Sequence, residues 1–208
     1  METPAVVAAP LPEAPARAHL REATRAAHTR LEQILPLASP RLTLREYATI
    51  LRAFLGVYTV VEGQIEPYGP ELDRSGIDWP RRRKLPLLRR DAEALHTAVE
   101  AGVSVAPPPD AVLHLPTLSH AMGCLYVTEG ATLGGRIIAR NVRRVLGLGP
   151  ESGASFFDGY GSAGGTYWQA FCAALERCLP DEASRVRAAE AATETFRLFT
   201  DHVAREAP

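Results

Sequence analysis

The apolar residues recur with a period close to 3.6 along almost the whole chain. This spacing places them on one side of an α-helix. Alternating apolar and polar residues bounded by turn signals, which would indicate strands, are missing. The pattern therefore predicts an all-α fold built from several helices.

Prolines, glycines and capping residues mark the ends of the predicted helices. Thr43, followed three positions later by Glu46, forms a capping box that opens the second helix. We expect helices at about 16–35, 44–66, 84–101, 115–146, 166–178 and 180–205. Between them we expect a linker at 73–80, a break at 107–109 and an ordered loop with aromatic anchors at 152–165.

The length and composition predict one domain. A chain of 208 residues with 46% hydrophobic residues can bury a substantial core. The Ala- and Pro-rich start predicts a flexible tail at 1–15, followed by a single domain at 16–208. A net charge of −1 argues against a nucleic-acid partner.

The location is predicted from what the chain contains. No apolar run reaches the roughly 18 to 20 residues that cross a bilayer, so no membrane span is expected. The N-terminus lacks the basic start and apolar block of an export signal. An odd number of sparse cysteines fits a reducing cytoplasm, and their spacing matches no metal site. The cysteines are Cys124, Cys172 and Cys178.

The first helix carries a mixed polar face. Its four members are separated by four, three and four residues: Arg21, Arg25, His28 and Glu32. A metal-binding histidine with cations roughly 10 Å away along the axis suits a planar metal macrocycle with carboxylates at its edge. Glu32 can accept the second imidazole N–H and fix the tautomer. An amphipathic helix with a solvated charged face is the other interpretation.

A later helix contains a cluster of glycines. Gly130, Gly134 and Gly135 fall within six residues, and each costs about 1 kcal/mol relative to alanine in a helix interior. Either a kink or a close approach of the backbone to a ligand explains them. Tight packing of one helix on another through small residues is the alternative. The spacing is not that of a phosphate-binding fingerprint.

Together, these two segments resemble one known family. LREATRAAHTRLE at 20–32 is similar to the proximal helix of heme oxygenases, and YVTEGATLGGRII at 126–138 is similar to their distal helix. The form resembled is the bacterial one encoded beside bacteriophytochromes. The resemblance implies a helical bundle that holds heme between a proximal and a kinked distal helix.

The resemblance implies a role for each proximal residue. His28 matches the ligand of the heme iron, and Glu32 matches the acidic residue that holds its imidazole. Arg21 and Arg25 fall where the family places basic residues near the heme propionates.

On the distal side, the resemblance implies a wall of bare backbone. Gly130 and Gly134 match the glycines that lie against the heme, and Gly135 follows the second of them. We expect the first two to be catalytic and all three to contact heme.

Two positions depart from the family pattern. Many members carry an aspartate where this chain has Ala131, so either Thr132, another side chain such as Arg136, or water alone must take over proton delivery, or the activity is impaired. Thr132 is therefore a predicted catalytic residue. Some relatives place a basic pair on a late helix where this chain has Trp168 and Cys172, which leaves the choice of meso carbon open.

The implied activity is oxidative opening of heme b at a meso carbon, which gives biliverdin, CO and iron. Heme serves as both cofactor and substrate, and O₂ and electrons from a ferredoxin or a reductase are consumed. A bacteriophytochrome that accepts biliverdin for its bilin chromophore is the implied partner. A heme carrier or sensor on the same fold, and a thiaminase-type enzyme on a similar fold, are the alternatives.

Other conspicuous residues have simpler explanations. Isolated histidines are expected at the surface or in packing: His19, His96, His114, His120 and His202. Four aromatic residues are expected in the core, where some could touch the heme edge: Phe54, Tyr58, Phe196 and Phe199. The basic run at 81–84, with Arg89 and Arg90, is either a solvated face or a docking site for an acidic electron donor.

Overall fold

The structure is a computed structural model that describes residues 15–96 and 113–206. Within these ranges the chain forms α-helices and short 3-10 turns, without strands. The helices are α1 (Pro15–Ile34), α2 (Leu44–Ile65), α3 (Gly69–Arg74), α4 (Trp79–Arg82), α5 (Leu85–His96), α6 (Leu118–Leu146), α7 (Ser155–Asp158), α8 (Gly164–Cys178) and α9 (Glu182–Glu206). The 3-10 turns are Pro36–Ala38, Glu66–Tyr68 and Gly161–Ala163.

The all-α prediction is confirmed, and local sequence signals explain the ends of the long helices. Thr43 and Glu46 form both halves of the predicted capping box at the start of α2. Gly147 ends α6 in the left-handed conformation, with φ of 70°. α6 stays α-helical through all three of its central glycines.

Other boundaries differ from the prediction. The expected linker at 73–80 contains the end of α3 and the start of α4, because Asp78 caps a helix that Trp79 and Pro80 begin. The expected loop at 152–165 contains α7 and a 3-10 turn. Thr166 does not cap α8, which begins at Gly164.

Some sequence predictions fall outside the described residues. They are the tail predicted at 1–15, except Pro15, which begins α1, the end of the predicted helix after His96 and the break at 107–109. The division into a tail and a single domain stays a prediction. No helix in the described ranges is both long enough and apolar enough to cross a membrane.

Helix α9 connects the two helices that carry the sequence motifs. It packs against both α1 and α6, and it also contacts α2. The contact with α6 is a backbone contact, because a Cβ atom on Gly123 would lie 2.0 Å from the carbonyl oxygen of Ala188. The position of α6 relative to α9 therefore depends on the missing side chain of Gly123.

We predict that Gly123→Ala destabilises the protein by about 1–3 kcal/mol, because the added methyl group forces α6 away from α9. Chemical denaturation measures the change in the free energy of unfolding. Gly63→Ala is the matched control, since Gly63 lies in α2 with nothing within 4 Å of the added Cβ. This control is expected to stabilise by about 0.4–1 kcal/mol. Equal effects of the two substitutions would contradict the prediction.

Candidate functional site

A cavity of about 670 Å³ is bordered by α1 on one side and α6 on the other. α2, α7, α8 and α9 contribute the remaining walls. Sites for small organic ligands and cofactors occupy roughly 300–1,000 Å³. The two segments singled out from the sequence therefore meet at one cavity of ligand size.

The α1 wall contains every residue that was predicted there. The lining includes Arg21, Arg25, His28 and Glu32. Arg17 also lines the cavity, and the sequence interpretation missed it. Arg17 precedes Arg21 by four residues, so the same spacing rule extended by one turn identifies it. We call Arg17, Arg21 and Arg25 the arginine ridge.

His28 is available to a ligand. Its side chain is 55% exposed, and its Nδ1 lies 3.5 Å from a carboxylate oxygen of Glu32. The ring of Phe196 meets the imidazole edge-on, with 5.5 Å between the ring centroids. Nε2 has no hydrogen-bond partner among the described residues. Glu32 thus lies near one ring nitrogen and leaves the other for a ligand.

The start of α1 is fixed by a carboxylate from another helix. Glu176 of α8 accepts hydrogen bonds from the backbone N–H groups of Ala16 and Arg17, each at 3.0 Å. These N–H groups have no partner inside α1, because they belong to its first turn. Glu176 thereby positions the helix end that carries the arginine ridge.

Trp168 and Cys172, which stand where some relatives have a basic pair, lie in α8. Trp168 lines the cavity, whereas Cys172 does not. Arg17 donates a hydrogen bond to the side chain of Cys172. A cation therefore still lies beside position 172, although it comes from α1.

The three glycines of α6 have different surroundings. A Cβ atom on Gly134 would have nothing within 4 Å, and one on Gly130 would lie 3.9 Å from Trp168. A Cβ atom on Gly135 would lie 2.8 Å from the carbonyl oxygen of Phe157. Gly134 thus leaves the cavity open, while Gly135, although it also lines the cavity, is needed to pack α6 on α7.

The polar side chains of this α6 segment offer little proton chemistry. Ala131 lines the cavity at the position of the missing aspartate. Thr132 also lines it, but its hydroxyl donates a 2.6 Å hydrogen bond to the carbonyl oxygen of Glu129. Arg136 is exposed and lines a different, smaller cavity. Of the two side chains named as substitutes for the aspartate, only Thr132 therefore lines the main cavity.

Aromatic rings form the apolar floor of the cavity. Phe54 and Tyr58 of α2 meet Phe156 and Phe199 edge-on, with ring centroids 5.4–5.9 Å apart. All four are buried, and all four line the cavity. Burial and the charge of Glu62 raise the pKa of Tyr58, which keeps its hydroxyl neutral. The aromatic residues predicted in the core are thus buried and also line the cavity.

A buried carboxylate holds the aromatic turn in place. Asp91 accepts hydrogen bonds from the Ser155 N–H at 2.9 Å, the Ser155 hydroxyl at 2.7 Å and the Phe156 N–H at 2.7 Å. Asp91 is fully buried. Burial raises its pKa, and these hydrogen bonds oppose the rise. Asp91 therefore fixes the turn that carries the floor of the cavity.

A second buried polar group lies directly behind α6. Glu129 pairs with the Arg82 guanidinium, lies 3.3 Å from Lys84 Nζ and accepts a 2.7 Å hydrogen bond from the Tyr160 hydroxyl. The side chains of Arg82, Lys84 and Glu129 are only 4%, 3% and 1% exposed. We call Arg82, Lys84, Glu129 and Tyr160 the Glu129 cluster.

The Glu129 cluster corrects the interpretation of the basic run at 81–84. Arg82 and Lys84 are buried, so they belong neither to a solvated face nor to a docking surface. The run therefore mixes buried and exposed cations. Arg81, unlike Arg82 and Lys84, has a 73% exposed side chain and pairs with Asp78 at the surface. Lys84 also lines the main cavity.

His28 is the histidine that lines the cavity. The other histidines with described side chains lie elsewhere: His19, His114, His120 and His202. Within the described ranges, no group of three or more His, Cys, Asp or Glu residues is arranged to hold a metal ion.

Comparisons with known proteins agree on one family. The family model described as heme oxygenase matches residues 14–205. A heme oxygenase from Xanthomonas campestris is 35% identical over 162 residues, which cover 77% of this chain and 90% of that protein.

Two solved structures show the same fold. The NO- and CO-bound heme oxygenase of Neisseria meningitidis has a TM-score of 0.74 at 19% identity and covers 93% of this chain and 96% of its own. The heme oxygenase of Leptospira interrogans has a TM-score of 0.72 at 20% identity and covers 91% and 98%.

We predict that Asp91→Asn destabilises the protein by about 1–3 kcal/mol. The two carboxylate oxygens of Asp91 accept hydrogen bonds from the Ser155 and Phe156 N–H groups, and asparagine replaces one of these oxygens with an N–H₂ group that cannot accept. Thermal and chemical denaturation measure the loss, and hydrogen exchange locates it at the Ser155 and Phe156 amides. Asp73→Asn on the exposed surface of α3 is the control and is expected within about 0.5 kcal/mol of the parent. Unchanged exchange at the two amides would contradict the role of Asp91.

Proposed function

The chain belongs to the heme oxygenase family, and we propose that the cavity between α1 and α6 binds the heme that it degrades, with His28 as the iron ligand. The activity is oxidative opening of heme to biliverdin, with O₂ and electrons consumed and CO and iron released. One observation carries the proposed site: an imidazole with a nearby carboxylate and the bare backbone at Gly134 line the same cavity.

Family membership favours this activity over the two alternatives considered from the sequence. A thiaminase-type enzyme is not supported by the family model or by the curated relative. A heme carrier or sensor would share the pocket, so the enzyme and the carrier differ in turnover and not in heme binding.

The residues present fit heme. Its iron needs a nitrogen ligand, and Nε2 of His28 has no partner in the described structure. Its propionates need cations, which the arginine ridge supplies along α1. Its flat ring needs a gap beside the backbone, and the Cβ position of Gly134 is open to 4 Å. The aromatic floor supplies an apolar surface for the ring.

Each wall then has a defined task. His28 holds the iron, and Glu32, near its Nδ1, favours the tautomer that leaves Nε2 as the ligand. The arginine ridge would hold the propionates and so set the rotation of the ring in the cavity. The bound heme supplies the redox chemistry. Phe54 and Phe199 exclude water from the apolar side of the ring.

The α6 wall leaves open space in the cavity without adding an acid or a base at 130–134. Gly130 and Gly134 keep that side open, and Ala131 supplies no proton. We propose that Thr132 has a limited role there. Its hydroxyl proton is bonded to the helix backbone, so Thr132 can only accept a hydrogen bond from a cavity water.

The partners of the enzyme are proposed only by class. We propose an external electron donor of the ferredoxin or reductase class and, from the bacterial form of the family that the motifs resemble, a bacteriophytochrome as acceptor of biliverdin. A cytoplasmic location also stays a prediction.

We predict that His28→Ala abolishes the sharp Soret band that the parent protein gives with hemin, because the iron loses its protein ligand. His19→Ala is the matched control, since His19 lies on the same helix outside the cavity and should leave the band unchanged. Reductant and O₂ should then give biliverdin absorption from the parent complex. A Soret complex without bilin would favour the carrier, and no Soret complex would contradict both heme functions.

We predict that Arg21→Gln and Arg25→Gln each weaken hemin binding about 3- to 10-fold, because each removes a cation facing the propionates. Titration followed at the Soret band measures the affinity, and the loss should shrink at high salt. Arg30→Gln is the control, because Arg30 is an exposed residue of α1 that does not line the cavity. Equal losses in all three variants would contradict a specific ridge.

A further inference from the structure

Lys84 is the unusual residue of the cavity. The side chains that line it from outside α1 include three titratable ones, which are Tyr58, Lys84 and Tyr126. Burial raises the pKa of both tyrosines. Among the described residues that line the cavity from outside α1, Lys84 is thus the one cationic proton donor.

Heme opening needs such an acid. Reduction of O₂ to the level of water consumes protons, and the α6 wall has Ala131 where an acid would stand. Buried cationic amines are proton donors when their surroundings bring their pKa toward neutrality.

We propose that Lys84 donates protons to water in the cavity and is reprotonated from solvent through Tyr160. This inference rests on the proposed function. In each cycle the Lys84 ammonium transfers one proton to a cavity water and becomes a neutral amine. The Tyr160 hydroxyl, which donates to Glu129 while Lys84 is charged, then turns to the neutral amine and passes its proton to it, while the Tyr160 oxygen takes a proton from a solvent acid. No electrons move in this step, and the net result is one proton carried from solvent to the cavity.

The contacts of Lys84 show which proton is released. Nζ donates to the Arg82 carbonyl at 2.8 Å, to the Tyr160 hydroxyl at 2.5 Å and to Glu129 at 3.3 Å. The Glu129 contact is the longest of the three, so that proton is the one most easily shared with a cavity water. The short contact with Tyr160 is the one through which a proton returns.

Tyr160 is the most exposed member of the Glu129 cluster. It is partly exposed, whereas Lys84 and Glu129 are buried. Its ring stacks on Tyr167, with 4.0 Å between the ring centroids, so its hydroxyl is held in place beside Lys84 and Glu129. The proposed route from solvent to cavity contains these two residues, Tyr160 and Lys84.

The charges around Lys84 are balanced. Arg82 from α4 and Glu129 from α6 face it directly, and Glu62 of α2 accepts a hydrogen bond from its backbone N–H. Burial lowers the pKa of the Lys84 ammonium, the charge of Glu129 opposes this, and the charge of Arg82 adds to it. The net direction is downward, which makes the ammonium a stronger acid than a lysine in water.

The test compares Lys84→Met, Lys84→Arg and Tyr160→Phe with the parent as preformed ferric hemin complexes. Bilin formation is followed from about pH 6 to 9 with a chemical reductant and O₂, which removes the protein donor from the experiment. We expect Lys84→Met to slow bilin formation about tenfold or more at neutral pH. The parent rate should fall toward high pH as Lys84 loses its proton, and this dependence should be lost in the variant. Tyr160→Phe should slow the rate about threefold or more.

A second readout does not depend on turnover. The visible spectrum of each ferric hemin complex is titrated with base, and the midpoint of its change reports the charge beside the cavity. Removing a cation should raise the midpoint of Lys84→Met by about 0.5 pH unit or more. Lys84→Arg should restore the midpoint but not the rate, because arginine keeps the charge and does not release a proton. A purely structural role of Lys84 does not produce this split.

Arg81→Met is the matched control, since Arg81 is an exposed cation three positions away that does not line the cavity. It should stay within about twofold of the parent rate. Bilin formation by Lys84→Met within twofold of the parent, with the same pH dependence, would overturn the proposal. If Lys84→Met fails to fold, parent-like rates in both Lys84→Arg and Tyr160→Phe overturn it.

The outcome separates this proposal from the proposed function. A parent complex that binds hemin and forms no bilin contradicts the proposed activity. In that case the spectral midpoint still tests whether the charge of Lys84 lies beside the cavity. An unmoved midpoint in Lys84→Met would overturn the placement of its charge beside the cavity.

Discussion

Helix α6 contacts its neighbours through its own backbone, and the architecture of the site depends on this. Gly123 admits the Ala188 carbonyl of α9 on one side, and Gly135 admits the Phe157 carbonyl of α7 farther along. Side chains at these positions would push both neighbours away. Between them, Gly134 meets nothing within 4 Å, so the same helix that is packed closely at two places is open at a third. The cavity exists because α9 packs against both α6 and α1 while Gly134 leaves space beside α6.

Charged groups are buried behind this helix, where they are expensive to desolvate. Glu129 balances part of the charge of Arg82 and Lys84, and Glu62 caps the backbone at 84 and 85. Such clusters are rarely the most stable solution, since apolar residues of the same volume are often as good. A charged cluster next to a cavity is better explained by chemistry than by stability. Lys84 belongs to the Glu129 cluster and also lines the cavity, which places that chemistry at the α6 wall.

The sequence predicted a large part of the fold and about half of the site. The helical period, the Thr43 capping box and Gly147 gave α1, α2, α6 and α9 nearly to the residue, because these signals are local. Predictions for α3, α4 and α7 were wrong, since helices of four to six residues carry too few periodic positions. His28 and Glu32 were predicted together because they lie one turn apart on one helix. The role of Asp91 and the place of Lys84 at the cavity were missed because their partners are more than thirty residues away in the chain.

By itself, the sequence determined the fold class, the family and the composition of the two facing walls, because periodicity, capping and motif spacing act within a few turns of one helix. Only the tertiary structure decided which cations are exposed and which are buried. Arg81 and Arg82 are neighbours of the same type, yet Arg81 is exposed and Arg82 is buried on Glu129. It also decided that Gly134 borders the cavity while Gly135 packs on a carbonyl. Both outcomes depend on what another helix places opposite a residue, and that information is carried by distant positions of the chain.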